Sequence, residues 1–133
     1  MSDVFLDTAY LIALFNARDE RHARAMEVAP SLTGRSVTTA WVLTELLDLF
    51  CHPPKRSKVV GFLNDMEADD RFVVIPPTEE LFRAGLGLFE RSPDKAWSLT
   101  DCISFVVMER ERLRDAATTD RHFEQAGFNV LLK

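Results

Sequence analysis

Four carboxylates, far apart along the chain, invite a chemical reading. Asp7 interrupts the apolar run "VFLDTAYLIALFN" and Glu45 lies inside "TAWVLTELLDLFC". Asp101 stands in "SLTDCISF" and Asp120 closes "DAATTD". Such acids act together only if a fold gathers them. Gathered bare, they repel one another and raise each other's pKa. A hard divalent cation removes that penalty, because Mg2+ and Mn2+ accept oxygen donors. An ion held this way activates water and stabilises charge developing on a phosphoryl group.

Each acid also has an ordinary explanation. Asp7 and Asp120 directly follow strand-like runs and precede helical ones, where Asp is a favoured N-cap. For either one alone, capping outweighs catalysis. Ser98 and Asp101 match the capping-box pattern, which is common. Glu45 lies mid-helix, where no cap is needed, on the border of an apolar stripe. A solvated edge residue accounts for it equally well, and Asp48, one turn on, competes for the same role.

The elements that must position these residues follow from periodicity and breakers. "VFL" (4–6) reads as a short buried strand passing into a helix, and "DERHARAMEVA" (19–29) as a second, partly exposed helix. "SVT" (36–38) is a strand. Apolar residues at 42, 43, 46, 47, 49 and 50 have helical spacing, and "HPP" (52–54) stops that helix before "KRSKVVGFLNDMEAD" restarts one. "RFVVIPP" is a third strand closed by prolines. Helices follow over 78–91 and 98–113, the first weakened by Gly85 and Gly87. "DAATTD" reads as a fourth strand, "RHFEQAG" as a short helix and "FNVLL" as a last strand. Strands alternating with helices predict a parallel sheet covered on both faces, with chemistry beyond the carboxyl ends of the strands.

Bulk properties agree with one enzyme-sized domain over 1–133. The chain has 133 residues, 47% of them apolar, enough for a core without staples. Its two cysteines, Cys51 and Cys102, lack metal-ligand spacing, and the start "MSDVFLDT" lacks the basic flank of a signal peptide. A reduced, cytoplasmic protein is the expectation, with no apolar run near the roughly 18–20 residues of a membrane span. A net charge of −5 argues against a passive nucleic-acid binder. It leaves room for an enzyme that meets phosphates through a metal.

The segments "VFLDTAYLIALFN", "VTTAWVLTELLDLF", "DKAWSLTDCISFVVMERERL" and "AATTDRHFEQAGFNVLL" closely resemble the PIN domain, in particular the small VapC-type proteins. The resemblance runs in order through essentially the whole chain, and "SLTDCISF" and "TTDRHFEQAGF" are its most specific blocks. It carries the family's acids onto Asp7, Glu45, Asp101 and Asp120. It implies that Asp7, Asp101 and Asp120 hold Mg2+ or Mn2+, with Thr8, Thr100 and Thr119 orienting ligands or water. The implied fold is a three-layer α/β/α sandwich with a parallel five-stranded sheet of order 3-2-1-4-5. That order sets strands one and four side by side, as convergence of Asp7 and Asp120 requires. The implied activity is cleavage of single-stranded RNA, by the toxin of a toxin–antitoxin pair that forms homodimers and is neutralised by an antitoxin protein.

Cations must also meet the RNA backbone. Lys95 and Arg121 neighbour the acids in sequence and are preferred over Lys55, Arg56 and Lys58. Arg110, Arg112 and Arg114 alternate with Glu109 and Glu111 and read as a salt-bridged helix end. Trp41, Phe50, Phe62, Phe89 and Phe105 read as core, and Cys102 as a small packed hydrophobe. His22, His52 and His122 occur singly and suggest no catalytic pair. Two other readings stand beside the nuclease. One is a PIN-like binding or regulatory module without turnover. The other is an aspartyl phosphatase with Asp7 as nucleophile, which Ala9 disfavours because a second Asp is usual there.

Overall fold

Three consecutive apolar residues, Val4–Leu6, form β1, and all three are buried. A strand apolar at every position belongs in the middle of a sheet with both faces covered. The computed structural model, which describes residues 2–133, places it there. β2 (Ser36–Thr39) and β4 (Asp115–Ala117) flank β1, with β3 (Phe72–Ile75) and β5 (Asn129–Val130) at the edges. Every pairing is parallel, and the order is β3-β2-β1-β4-β5. The three-layer parallel arrangement expected from the sequence is therefore the one observed.

Seven helices supply the crossovers: α1 (Thr8–Phe15), α2 (His22–Val28), α3 (Ala40–Leu49), α4 (Lys55–Glu67), α5 (Glu79–Arg91), α6 (Leu99–Glu111) and α7 (His122–Gln125). Thr39, Thr78 and Ser98 cap α3, α5 and α6 by accepting the backbone N–H three residues on. The two glycines of α5 have different meanings. A Cβ at Gly85 would lie 2.3 Å from Ile103 Cγ1, so this residue lets α5 press against α6. At Gly87 a Cβ would meet only the flexible end of Arg91.

Several boundaries differ from expectation. The helix expected over 19–29 begins at His22, because the Asp19 carboxylate accepts the Arg21 amide and its carbonyl the His22 amide in a preceding turn. β4 stops at Ala117 instead of running to Asp120, and β5 spans only Asn129 and Val130, although the Leu131 and Leu132 amides still donate to the Ala116 and Thr118 carbonyls. The arginines at the end of α6 do not form the expected local ladder. Arg110 reaches across to Glu80 of α5 in a two-pronged pair at 2.6 and 2.7 Å. Arg112 takes a left-handed conformation, φ 58°, as the C-cap. Phe89, expected in the core, is 46% exposed.

Candidate active site

The carboxyl ends of β1 and β4 are held in register by Leu6 opposite Ala117. The Asp7 N–H extends this ladder, donating to the Ala117 carbonyl at 3.2 Å. On the other side, the Thr38 hydroxyl of β2 donates to the Leu6 carbonyl at 2.8 Å. Asp7 is thereby fixed at the centre of the sheet's carboxyl edge. It occupies the N-cap position of α1, yet its side chain makes no capping hydrogen bond. The capping explanation for Asp7 is thus set aside. Its Oδ2 instead accepts the Thr118 hydroxyl at 2.7 Å. Thr118 in turn accepts the Asp120 amide at 3.0 Å. One threonine therefore links the first and fourth strand ends.

Asp7 is only 6% exposed. Burial pushes its carboxyl up to about 7, the charges of Asp101 and Asp120 push the same way, and the Thr118 hydroxyl opposes them. Asp101 is raised as well, chiefly by burial, with the Ser98 amide acting against it and the charge of Asp120 with it. The capping box forms in full. The Ser98 Oγ accepts the Asp101 amide at 3.0 Å, and the Asp101 Oδ2 accepts the Ser98 amide at 3.2 Å. Asp101 is therefore both a cap and a member of the acidic group. Asp120 keeps a turn role too, its Oδ1 accepting the His122 amide at 2.9 Å.

Glu45 is exposed on α3, and its Oε1 accepts the Thr8 hydroxyl at 2.5 Å. Thr8 directly follows Asp7, so this bond ties the fourth acid to the strand edge. Asp48, its competitor, is exposed beside Phe50 and Arg56. Of the other expected residues, Thr100 contributes a carbonyl to the Ser104 hydroxyl. Thr119 stands next to Thr118, whose hydroxyl bonds Asp7. Lys95 pairs with Asp94 at 3.2 Å and lies 6.0 Å from the centre of the Trp97 ring. Arg121 is exposed at the start of α7.

Two contributors escape sequence reasoning. Thr118 is one, since a strand through 115–120 gives no reason to prefer it over Thr119. His122 is the other. Its Nδ1 lies 3.3 Å from Asp101 Oδ2 and 3.2 Å from Asp120 Oδ1. One donor atom each from Asp101, Asp120 and His122 falls within a mutual 4.8 Å, a separation suited to one metal ion. The separation of two residues between Asp120 and His122 was the only available signal.

A parallel α/β domain with acids beyond its central strand ends carries oxygen and nitrogen donors that could hold a metal ion. The PIN domain family model matches residues 4–129, and the chain belongs to that family. Among its relatives is the 23S rRNA-specific endonuclease VapC20 of Mycobacterium tuberculosis, 29% identical over 94% of this chain and 95% of the relative. The crystal structure of that VapC20, described as a sarcin-ricin loop cleaving toxin, superposes with a TM-score of 0.85. That match has 26% identity and covers 94% and 95% of the two chains. A toxin–antitoxin complex from Klebsiella pneumoniae shares the fold, at a TM-score of 0.65 and 16% identity over 89% of this chain and 87% of that one. Among the described residues, no helix is long and apolar enough to cross a membrane.

Proposed function

We propose that this protein is a metal-dependent endoribonuclease that cleaves single-stranded RNA and acts as the toxin of a toxin–antitoxin pair. The observation that supports this reading is that Asp101 and Asp120 come within metal-ligand reach of each other, with Asp7 linked to Asp120 through Thr118 and Glu45 bonded to Thr8, the residue after Asp7. The family supports the nuclease, and the relationship to VapC20 supports RNA as substrate. The solved toxin–antitoxin complexes of like fold make an antitoxin protein the natural partner. A cytoplasmic homodimer completes the proposal.

The donor set fits a divalent cation. Asp7 is buried and disfavoured as an anion, with the charges of Asp101 and Asp120 acting against it. A cation between these oxygens relieves burial and repulsion together. Asp7, Asp101 and Asp120 would hold Mg2+ or Mn2+, which when bound lowers the pKa of a water and offsets charge on phosphoryl oxygens. The protein's own part is positional. Thr118 holds the Asp7 carboxylate in one rotamer and joins it to the Asp120 turn. Ser98 and the first turn of α6 aim Asp101. Glu45, steadied by Thr8, would orient the attacking water. Lys95 and Arg121 would contact the RNA backbone on either side. The phosphatase reading is disfavoured because Asp7 is buried and its Oδ2 is already engaged by Thr118.

Asp101→Asn and Glu45→Gln, assayed on single-stranded RNA with Mg2+ or Mn2+, should each lose about 100-fold or more of the cleavage rate. Full activity in both overturns the assignment. Mapping cut sites on ribosomal RNA tests the substrate separately. Cleavage of 23S rRNA would support a target like the relative's, and cleavage confined to other RNA would remove that target while leaving the nuclease.

A further inference from the structure

The ring of His122 makes one long side-chain hydrogen bond, Nδ1 to Asp101 Oδ2 at 3.3 Å, beside acids that the backbone already orients. Asp120 Oδ1 is oriented by the backbone amide of His122 at 2.9 Å, and Asp101 Oδ2 by the backbone amide of Ser98 at 3.2 Å. Each carboxylate thus has a backbone donor that does not depend on the side chain at 122. Yet the imidazole is turned so that Nδ1 faces both oxygens, at 3.3 and 3.2 Å. These separations are long for charge-assisted hydrogen bonds, which cluster at about 2.7–2.9 Å. They match something else. Neighbouring donors on an octahedral ion with bonds of about 2.1 Å lie about 3.0 Å apart. The side chain is 26% exposed, so an ion can reach the ring from solvent.

We infer that His122 is a nitrogen ligand of the metal centre, completing a two-carboxylate, one-imidazole set with Asp101 and Asp120 that selects a first-row transition cation over Mg2+. The inference rests on the proposal that these acids hold a divalent cation. Its chemistry is that of donor preference. Mg2+ takes oxygen donors and keeps its waters, whereas imidazole nitrogen suits transition ions. An all-carboxylate centre would not discriminate in this way. Replacing the imidazole by an amide should therefore weaken a transition ion much more than Mg2+.

The test uses the full chain and Mn2+ as probe. Bound Mn2+ is counted by electron paramagnetic resonance, pulsed spectra report any directly coordinated nitrogen, and competition gives the Mg2+ affinity. Circular dichroism of His122→Gln checks that the variant is folded. Expected are a nitrogen coupling in the parent that disappears in His122→Gln, a Mn2+ affinity about tenfold or more weaker, and a nearly unchanged Mg2+ affinity. Mn2+ bound by the parent without nitrogen coupling overturns the inference and leaves the metal proposal standing. An equal loss of Mn2+ and Mg2+ affinity also overturns it. Failure of the parent to bind Mn2+ at millimolar concentration overturns both.

Discussion

Replacing Asp7 by Asn should stabilise the metal-free protein, by an amount that grows with pH. Asp7 rises from 3.8 to about 7 on folding, mainly through burial. Because the folded state holds this proton more tightly than the unfolded chain, Asp7 favours folding fully only below its unfolded pKa. That favourable contribution is lost as pH climbs to about 7. Roughly three units at about 1.4 kcal/mol each make about 4 kcal/mol the largest penalty of an ionised Asp7. Asn keeps the shape and can still accept the Thr118 hydroxyl, so most of that penalty should be relieved. Expected differences are near zero at pH 3, about 1.5 kcal/mol at pH 5 and about 2–4 kcal/mol at pH 8. At pH 8 the midpoint should rise by roughly 6–12 °C. The assay is thermal and urea unfolding of both proteins in a chelator across this range. Excess Mn2+ should then narrow or reverse the order, since only the parent keeps its ligand; saturation at about 100 times Kd stabilises by about 2.7 kcal/mol. A variant less stable than the parent at pH 8 in chelator, or a difference independent of pH, would refute the reasoning.

Thr118→Val removes the donor to Asp7 and the acceptor for the Asp120 amide, and should cost about 1–3 kcal/mol in urea unfolding. It should also move the Asp7 titration, followed by carboxyl NMR, further upward, whereas Thr119→Val should change both by much less. Gly85→Ala drives a Cβ into Ile103 and should cost about 1–3 kcal/mol, read from the denaturant midpoint. A neutral result would mean that α5 slides freely on α6. Ser98→Ala breaks the capping box and should cost about 1 kcal/mol. It should also loosen Asp101, so that Mn2+ affinity falls with stability.

Three of the acids were legible because each lies where a local signal changes character. Asp7 and Asp120 follow strand-like runs and Asp101 opens an apolar helix, whereas Glu45 only borders a helical stripe and needed the family resemblance to set it apart from Asp48. The sheet was legible too, since "VFL" is apolar at every position and only a central parallel strand needs that. Thr118 was hidden by one residue of register. Once β4 ends at Ala117, the next residue falls beside Asp7, and nothing in "TTD" says where the ladder stops. His122 was hidden because its meeting with Asp101 depends on a crossover between α6 and α7, across 21 positions. The glycines of α5 looked like one weakness, but only the surface of α6 distinguishes the contact at Gly85 from the slack at Gly87.

The bond from Thr118 to Asp7 joins residues 111 positions apart. It has a consequence for the order in which the site assembles during synthesis. Asp7 and Glu45 emerge early in synthesis, but β1 lacks its β4 neighbour until nearly all of the described chain has been translated. Until then Asp7 has neither the hydroxyl that steadies it nor the two acids that share its edge. A growing polypeptide of this kind holds no assembled acidic site until β4 has emerged. The site is complete only once β4 and the turn that follows it have emerged.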